Sequence, residues 1–123
     1  SGEALSRISL AIQVIAAQTS QIPSLVFDEV DVGIGGGIAK TIGRLLRDLG
    51  EKAQILCVTH QAQVASQGHH HFSVTKESNE TSALTHINEL RGEGVVTEIA
   101  RMLGGDNFTD ESLAHAEQMI VSH

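Results

Sequence analysis

Tryptophan and tyrosine are absent from this chain of 123 residues, and phenylalanine occurs three times. A surface that grips single-stranded nucleic acid by stacking bases on aromatic rings has almost nothing to be built from. Basic residues are scarce as well: 8 Lys and Arg stand against 15 Asp and Glu, a formal net charge of -7 with a pI near 5.4. That balance disfavours a polyanion as a direct partner of the whole surface, although a local basic patch stays compatible with it. Cys57 is the single cysteine, so no disulfide can close within the chain. Inside the apolar run ILCV it reads as a small buried hydrophobe rather than a nucleophile or ligand. No apolar run reaches the ~20 residues of a membrane span, and LAIQVIAA near the start is interrupted by Gln13 and follows no basic leader. These deficits point to a reducing, cytoplasmic setting with no membrane partner.

What is present suffices for one compact domain, residues 1–123. Leu5, Ile8, Ile12 and Ile15 recur at helical spacing directly after Ser1-Gly2. A helix that begins where the chain begins is expected of a piece cut from a longer protein, or of a chain whose first residues are not native. After the polar turn from Gln18 to Pro23, SLVF is a short continuous apolar run of the kind that forms a strand buried on both faces, and it ends in Asp28-Glu29. A helix is expected from about Gly37 to Leu49, with Gly50 as its stop. A second strand, ILCVT, then ends in His60. Strand, helix and strand at this length make a βαβ unit with parallel strands and a right-handed crossover. Further on, QAQVASQ suits a short helix, and HHFSVTKE and SALTHINEL suit paired strands around Ser78-Asn79-Glu80. Two helices follow, Val95 to Leu103 stopped by Gly104-Gly105, and Thr109 to Val121 with Thr109 as cap and Asp110 and Glu111 in the first turn.

Both apolar runs thus end in reactive side chains, Asp28 and Glu29 on one, Thr59 and His60 on the other. Ligands of open parallel sheets bind at the carboxyl ends of strands, where helix N-termini also point, so the acids and the histidine should share one site. Asp28 could hold magnesium, directly or through water, while Glu29, facing the other way, could orient a water for attack on a phosphoryl group. Carboxylates set against a buried strand need a partner there. The glycine run in FDEVDVGIGGGIAKT competes as a phosphate cradle, but Ala39 precedes Lys40 where a P-loop needs glycine, and Ile34 stands six residues before it. The run reads instead as a flexible connection into the helix.

These residues match a family. LVFDEVD resembles the Walker B strand of an ABC-type ATPase with its following glutamate and D-loop, VTH resembles the switch-histidine loop, and SGEALSRISLA resembles a degenerate signature motif running into its helix. Within that family, LSRISLAIQVIAAQ, FDEVDVGI, CVTHQAQVA followed by GHHHFSVTKE, and the closing EIARMLGGDNFTDESLAHAEQMI are similar to the C-terminal head segment of the SMC-like ATPases of bacterial DNA repair. The likeness covers nearly the whole chain. It implies an α/β, P-loop NTPase-like C-terminal lobe of an ABC-type head, with parallel strands, a β-hairpin and flanking helices. It also implies the cofactors ATP and Mg2+, and roles residue by residue. Asp28 would be the magnesium-linked aspartate, Glu29 the catalytic base or water-positioning residue, and His60 the switch residue near the γ-phosphate. Asp31 and Gly33 would belong to the D-loop that crosses a dimer interface, and Ser1 and Gly2 would contact the nucleotide of the partner head.

The same resemblance implies the partners. They are an N-terminal head segment carrying Walker A, a second head joined through ATP, and DNA reached through the full-length protein, which would be nucleoid-associated in the cytoplasm and would act in double-strand break repair. Alone, the segment should hydrolyse almost no ATP. One departure stands out: the family signature reads Ser-Gly-Gly followed by Glu or Gln, whereas Glu3-Ala4 follow Gly2 here. A carboxylate beside a γ-phosphate would repel it.

Two other functions are open to the residues alone. A metal-dependent phosphoesterase or nuclease could use Asp28, Glu29 and Asp31 as ligands, but needs a further acid converging from another strand. A non-catalytic dimerisation module would need none of these groups. His69, His70 and His71, with His86, invite a metal reading, yet successive strand residues face opposite sides and no cysteine or spaced acid joins them, so a polar edge strand is the expectation.

Overall fold

In the computed structural model, residues 2–19, 21, 23–29 and 31–121 are described, with side chains for all of these except 2, 3, 5–8 and 121. The proline-free N-terminal run forms helix α1, Gly2–Thr19. Its buried face carries Leu10 and Val14, with Ala17 half-buried behind them, whereas Ile12 and Ile15 are exposed. The expected stripe of Leu5, Ile8, Ile12 and Ile15 is therefore not the packed face in its second half, because α1 carries apolar residues on two sides and only one meets the core. The side chains of Leu5 and Ile8, like Ser1, lie outside the described residues.

Strand β1, Ser24–Asp28, and strand β2, Gln54–Val58, pair in parallel with Leu25 opposite Ile55 and Phe27 opposite Cys57. Helix α2, Gly36–Gly50, is the crossover between them. Ala39, Ile42, Leu46 and Leu49 recur at helical spacing on its inner face and close with Phe27 into the larger of two apolar clusters. Fully burying a side chain such as Phe27 or Leu46 contributes ~1.5–3 kcal/mol, so this face of the sheet anchors the unit. The other face is bare: Val26, Leu56 and Val58 are 65%, 48% and 50% exposed. The strands are therefore covered on one side only, a correction to the expectation of burial on both.

Two glycines of α2 act through space rather than through torsion. A Cβ on Gly43 would sit 2.9 Å from the Gln63 carbonyl oxygen and 2.9 Å from Gln67 Cγ, so only glycine lets the next helix, α3 (Ala62–Ala65), approach this closely. Gly50 ends α2 without a left-handed turn; the helix tightens instead through Glu51 N–H to the Asp48 carbonyl at 3.2 Å. A Cβ on Gly50 would press on the His69 ring at 3.3 Å. His69 Nε2 itself donates to Glu51 Oε1 at 2.9 Å, and that contact holds the Glu51 carboxyl below its ordinary value. The histidine run is thus not one edge strand: His69 and His70 lie in a bend, and only His71 enters β3.

Strands β3, His71–Ser78, and β4, Ala83–Leu90, form an antiparallel hairpin with Val74 opposite Ile87. Its loop is residues 79–82 rather than Ser78-Asn79-Glu80, Ser78 still pairing with Ala83, and Asn79 Oδ1 holds it by accepting from the backbone N–H groups of Thr81 and Ser82 at 3.0 and 2.8 Å. Helix α4, Glu93–Gly104, stops at Gly105, whose φ of 78° suits glycine and whose N–H reaches the Arg101 carbonyl at 2.8 Å. Helix α5, Asp110–Val121, is capped as expected, Thr109 Oγ1 accepting from Ser112 N–H at 3.2 Å. These helices enclose a second cluster around Ile99, Ala100 and Ala116. The short α3 belongs to both clusters, Val64 to the first and Ala62 to the second. No helix among the described residues is long and apolar enough to cross a membrane.

Candidate functional site

The site is assembled by the ends of β1 and β2. Asp28 is the last residue of β1, exposed and in register with Val58. Glu29 follows with its N–H donating to the Val58 carbonyl at 2.8 Å, and with φ of 52°. A left-handed torsion costs an L-residue about 1–2 kcal/mol, so the surrounding contacts must hold Glu29 there. The alternation expected to point Asp28 and Glu29 to opposite faces therefore ends at Asp28. The turn brings Glu29 Oε1 to 2.9 Å from His60 Nε2, across 31 residues of sequence. Both side chains are open to solvent, His60 at 82% and Glu29 at 48% exposure, so the pair is available to a ligand rather than sealed in the core.

Asp31 is placed differently. It is 1% exposed, and its Oδ2 accepts a hydrogen bond from the Thr59 hydroxyl. Its main-chain carbonyl accepts from Gln61 Nε2 at 2.7 Å, and the same amide reaches the Ile34 carbonyl at 2.8 Å. The Thr59 oxygen in turn accepts from Gln61 N–H at 3.0 Å. The Asp31 carboxylate thus faces inward, within this chain. Gly33, two residues on, is exposed with φ of 78°, a torsion that glycine adopts without penalty. Ile34 is buried in the main cluster, and Gly36 and Gly37 already belong to α2, so the glycine run is anchored at both ends rather than a flexible connection. Lys40 lies exposed on α2, and Gly35 caps that helix in an extended conformation with no side-chain bond.

Burial, with the charges of Asp31 and Asp28 nearby, pushes the Cys57 thiol up to about 11, which accords with a structural rather than a nucleophilic role. Exposed carboxylate oxygen at Asp28 fits a hard cation that takes few protein ligands and completes its shell with phosphate oxygens and water. Among the described residues no three His, Cys, Asp or Glu side chains converge to hold a metal by themselves. That is the arrangement the phosphoesterase reading needed. Gly2 opens α1, and Ser1 lies outside the described residues. Sequence reasoning singled out Asp28, Glu29, Asp31, Thr59 and His60 but not Gln61, whose only signal was an amide directly after a strand-end histidine.

No protein-family model matches the chain. In sequence it is 50% identical over 122 residues to the DNA repair protein RecN of Vibrio cholerae, an alignment that takes in 99% of this chain. The chain spans 22% of the length of the curated relatives it matches first. In fold it is similar to a chain solved in work on ATP-driven dimerization and DNA-stimulated activation of SMC ATPases, with a TM-score of 0.69 at 14% identity, covering 84% of this chain and 62% of that one. The SMC head domain from Thermotoga maritima is similar with a TM-score of 0.60 at 23% identity, over 75% of this chain and 34% of that one. The fold is accordingly similar to part of those heads: α/β, with a parallel sheet and an antiparallel hairpin.

Proposed function

We propose that this chain is the C-terminal part of the ATPase head of a RecN-type DNA repair protein, one unit over residues 1–123 that supplies the Walker B acids, D-loop, switch histidine and signature helix. The observation that carries the reading is the Glu29–His60 contact of 2.9 Å at the carboxyl ends of two parallel strands, beside an exposed Asp28. The bare apolar face of Val26, Leu56 and Val58 supports a further segment packing there, the one that would bring Walker A.

In the complete head, ATP and water yield ADP and phosphate. Glu29 orients the attacking water and accepts its proton, its carboxylate already fixed by His60 and its backbone by the Val58 carbonyl. His60, largely exposed on its far side, is free to approach the terminal phosphate while keeping Glu29 aligned. Asp28 would hold magnesium, which supplies neutralisation of charge on the phosphoryl oxygens. Gly33, with Asp31 fixing the turn from inside, presents backbone to a second head joined through ATP. Gly2 opens α1 and, with Ser1 before it in the sequence, would contact the nucleotide of that partner, since free N–H groups at a helix start attract anions. With a net charge of -7, this segment leaves DNA contact to other parts of the protein.

The test is magnesium-dependent ATP turnover of this chain alone and mixed with a Walker A-bearing head segment, with Glu29→Gln as control. Turnover that arises only in the mixture and disappears in Glu29→Gln, with nucleotide still bound, is the expected result. Turnover that survives Glu29→Gln refutes the assignment.

A further inference from the structure

Three hydrogen bonds tie the loop after β1 to the loop after β2, a fourth braces the second loop internally, and none of them involves the hydrolytic pair itself. Gln61 Nε2 bridges the carbonyls of Asp31 and Ile34, Thr59 donates to the Asp31 carboxylate, and Gln61 N–H returns to the Thr59 oxygen. Between these loops sit Glu29, in its left-handed torsion, and His60, which lies between Thr59 and Gln61 in the chain. Val32 N–H also reaches back to the Glu29 carbonyl at 3.3 Å, so the clasped turn begins at Glu29. A torsion unfavourable to glutamate persists only where neighbours over-determine it: Glu29 is held directly by Val58, Val32 and His60, and the clasp fixes the turn that follows it.

Resting on the reading of Glu29 and His60 as the hydrolytic pair, we infer that Gln61, together with Thr59, is a positioning residue: it locks the turn 31–34 onto the histidine loop and so sets the distance between Glu29 and His60. The turn that faces a second head and the pair that acts on water then move as one body. A displacement of Gly33 by that head is transmitted through the Asp31 and Ile34 carbonyls to Gln61, and from there to the adjacent His60.

The experiment uses a complete head, this chain with a Walker A-bearing segment, and reads kcat and KM for ATP. Gln61→Met keeps length and loses both amide donors; kcat should fall about tenfold with KM changed less than about twofold, since two hydrogen bonds of ordinary strength are removed away from the nucleotide. Combined with His60→Ala, Gln61→Met should cost nothing further, because it acts through His60. Thr59→Ser should keep the rate and Thr59→Val should lower it, which decides the matter even where Gln61→Met does not fold. An unchanged kcat in folded Gln61→Met, losses that multiply with His60→Ala, or equal rates for the two Thr59 variants each overturn the inference. If Glu29→Gln abolishes turnover while these variants do not behave as stated, only the clasp is refuted; turnover surviving Glu29→Gln removes the reading beneath it.

Discussion

Replacing Glu29 by glycine should leave a more stable protein than replacing it by alanine, the reverse of the usual order. Both substitutions remove the carboxylate and its contact with His60, which at this exposure is worth at most about 1 kcal/mol, so that loss cancels in the comparison. What remains is the backbone. At φ of 52° alanine keeps the left-handed penalty of about 1–2 kcal/mol, and glycine is free of it. Glycine in turn loses roughly 0.4–1 kcal/mol through the greater freedom of its unfolded chain. Glycine should therefore win by about 0.5–1 kcal/mol. Equilibrium urea unfolding of the two variants reads this as a midpoint higher by roughly 0.2–1 M for Glu29→Gly, given slopes of about 1–3 kcal/mol/M. Neither variant should support ATP turnover in a complete head. If Glu29→Ala is as stable as Glu29→Gly or more so, Glu29 does not occupy the left-handed region, and the account of how its carboxylate is aimed at His60 fails with it.

Gly43→Ala should destabilise the chain by about 1–3 kcal/mol, the range for overpacking, because the new methyl meets the Gln63 carbonyl, which backbone geometry prevents from yielding; a melting temperature within a degree of the parent would contradict the close approach of α2 and α3. Cys57, its thiol pushed up to about 11, should be alkylated slowly by iodoacetamide at pH 8, where only about one thiol in a thousand is ionised, and rapidly once urea exposes it; labelling should accelerate as pH rises toward that value, and fast labelling of the folded chain at pH 8 would exclude the burial described.

Much of this was legible in the sequence. Local signals carried the elements: the apolar runs of SLVF and ILCV, the helical spacing of Ile38, Ile42, Leu45, Leu46 and Leu49, the Thr109 cap and the glycine after Leu103 all concern residues within a turn or two of one another. The grouping of Asp28, Glu29 and His60 was legible too, since parallel strands joined by one helix must bring their carboxyl ends together. Which apolar side of α1 is packed was not, because Ile12 and Ile15 are as hydrophobic as Leu10 and Val14, and only the position of β1 and α2 chooses between them. Nor was the bare face of the sheet, since a strand's composition is the same whether or not a second layer is present to cover it. The inward turn of Asp31 depends on Thr59 and Gln61, 28 to 30 residues away, and the left-handed Glu29 is met by Val58 and His60 at the end of the other strand. Sequence periodicity specifies which way a side chain can face; a hydrogen-bond network between two loops exists only once packing has fixed the distance between them.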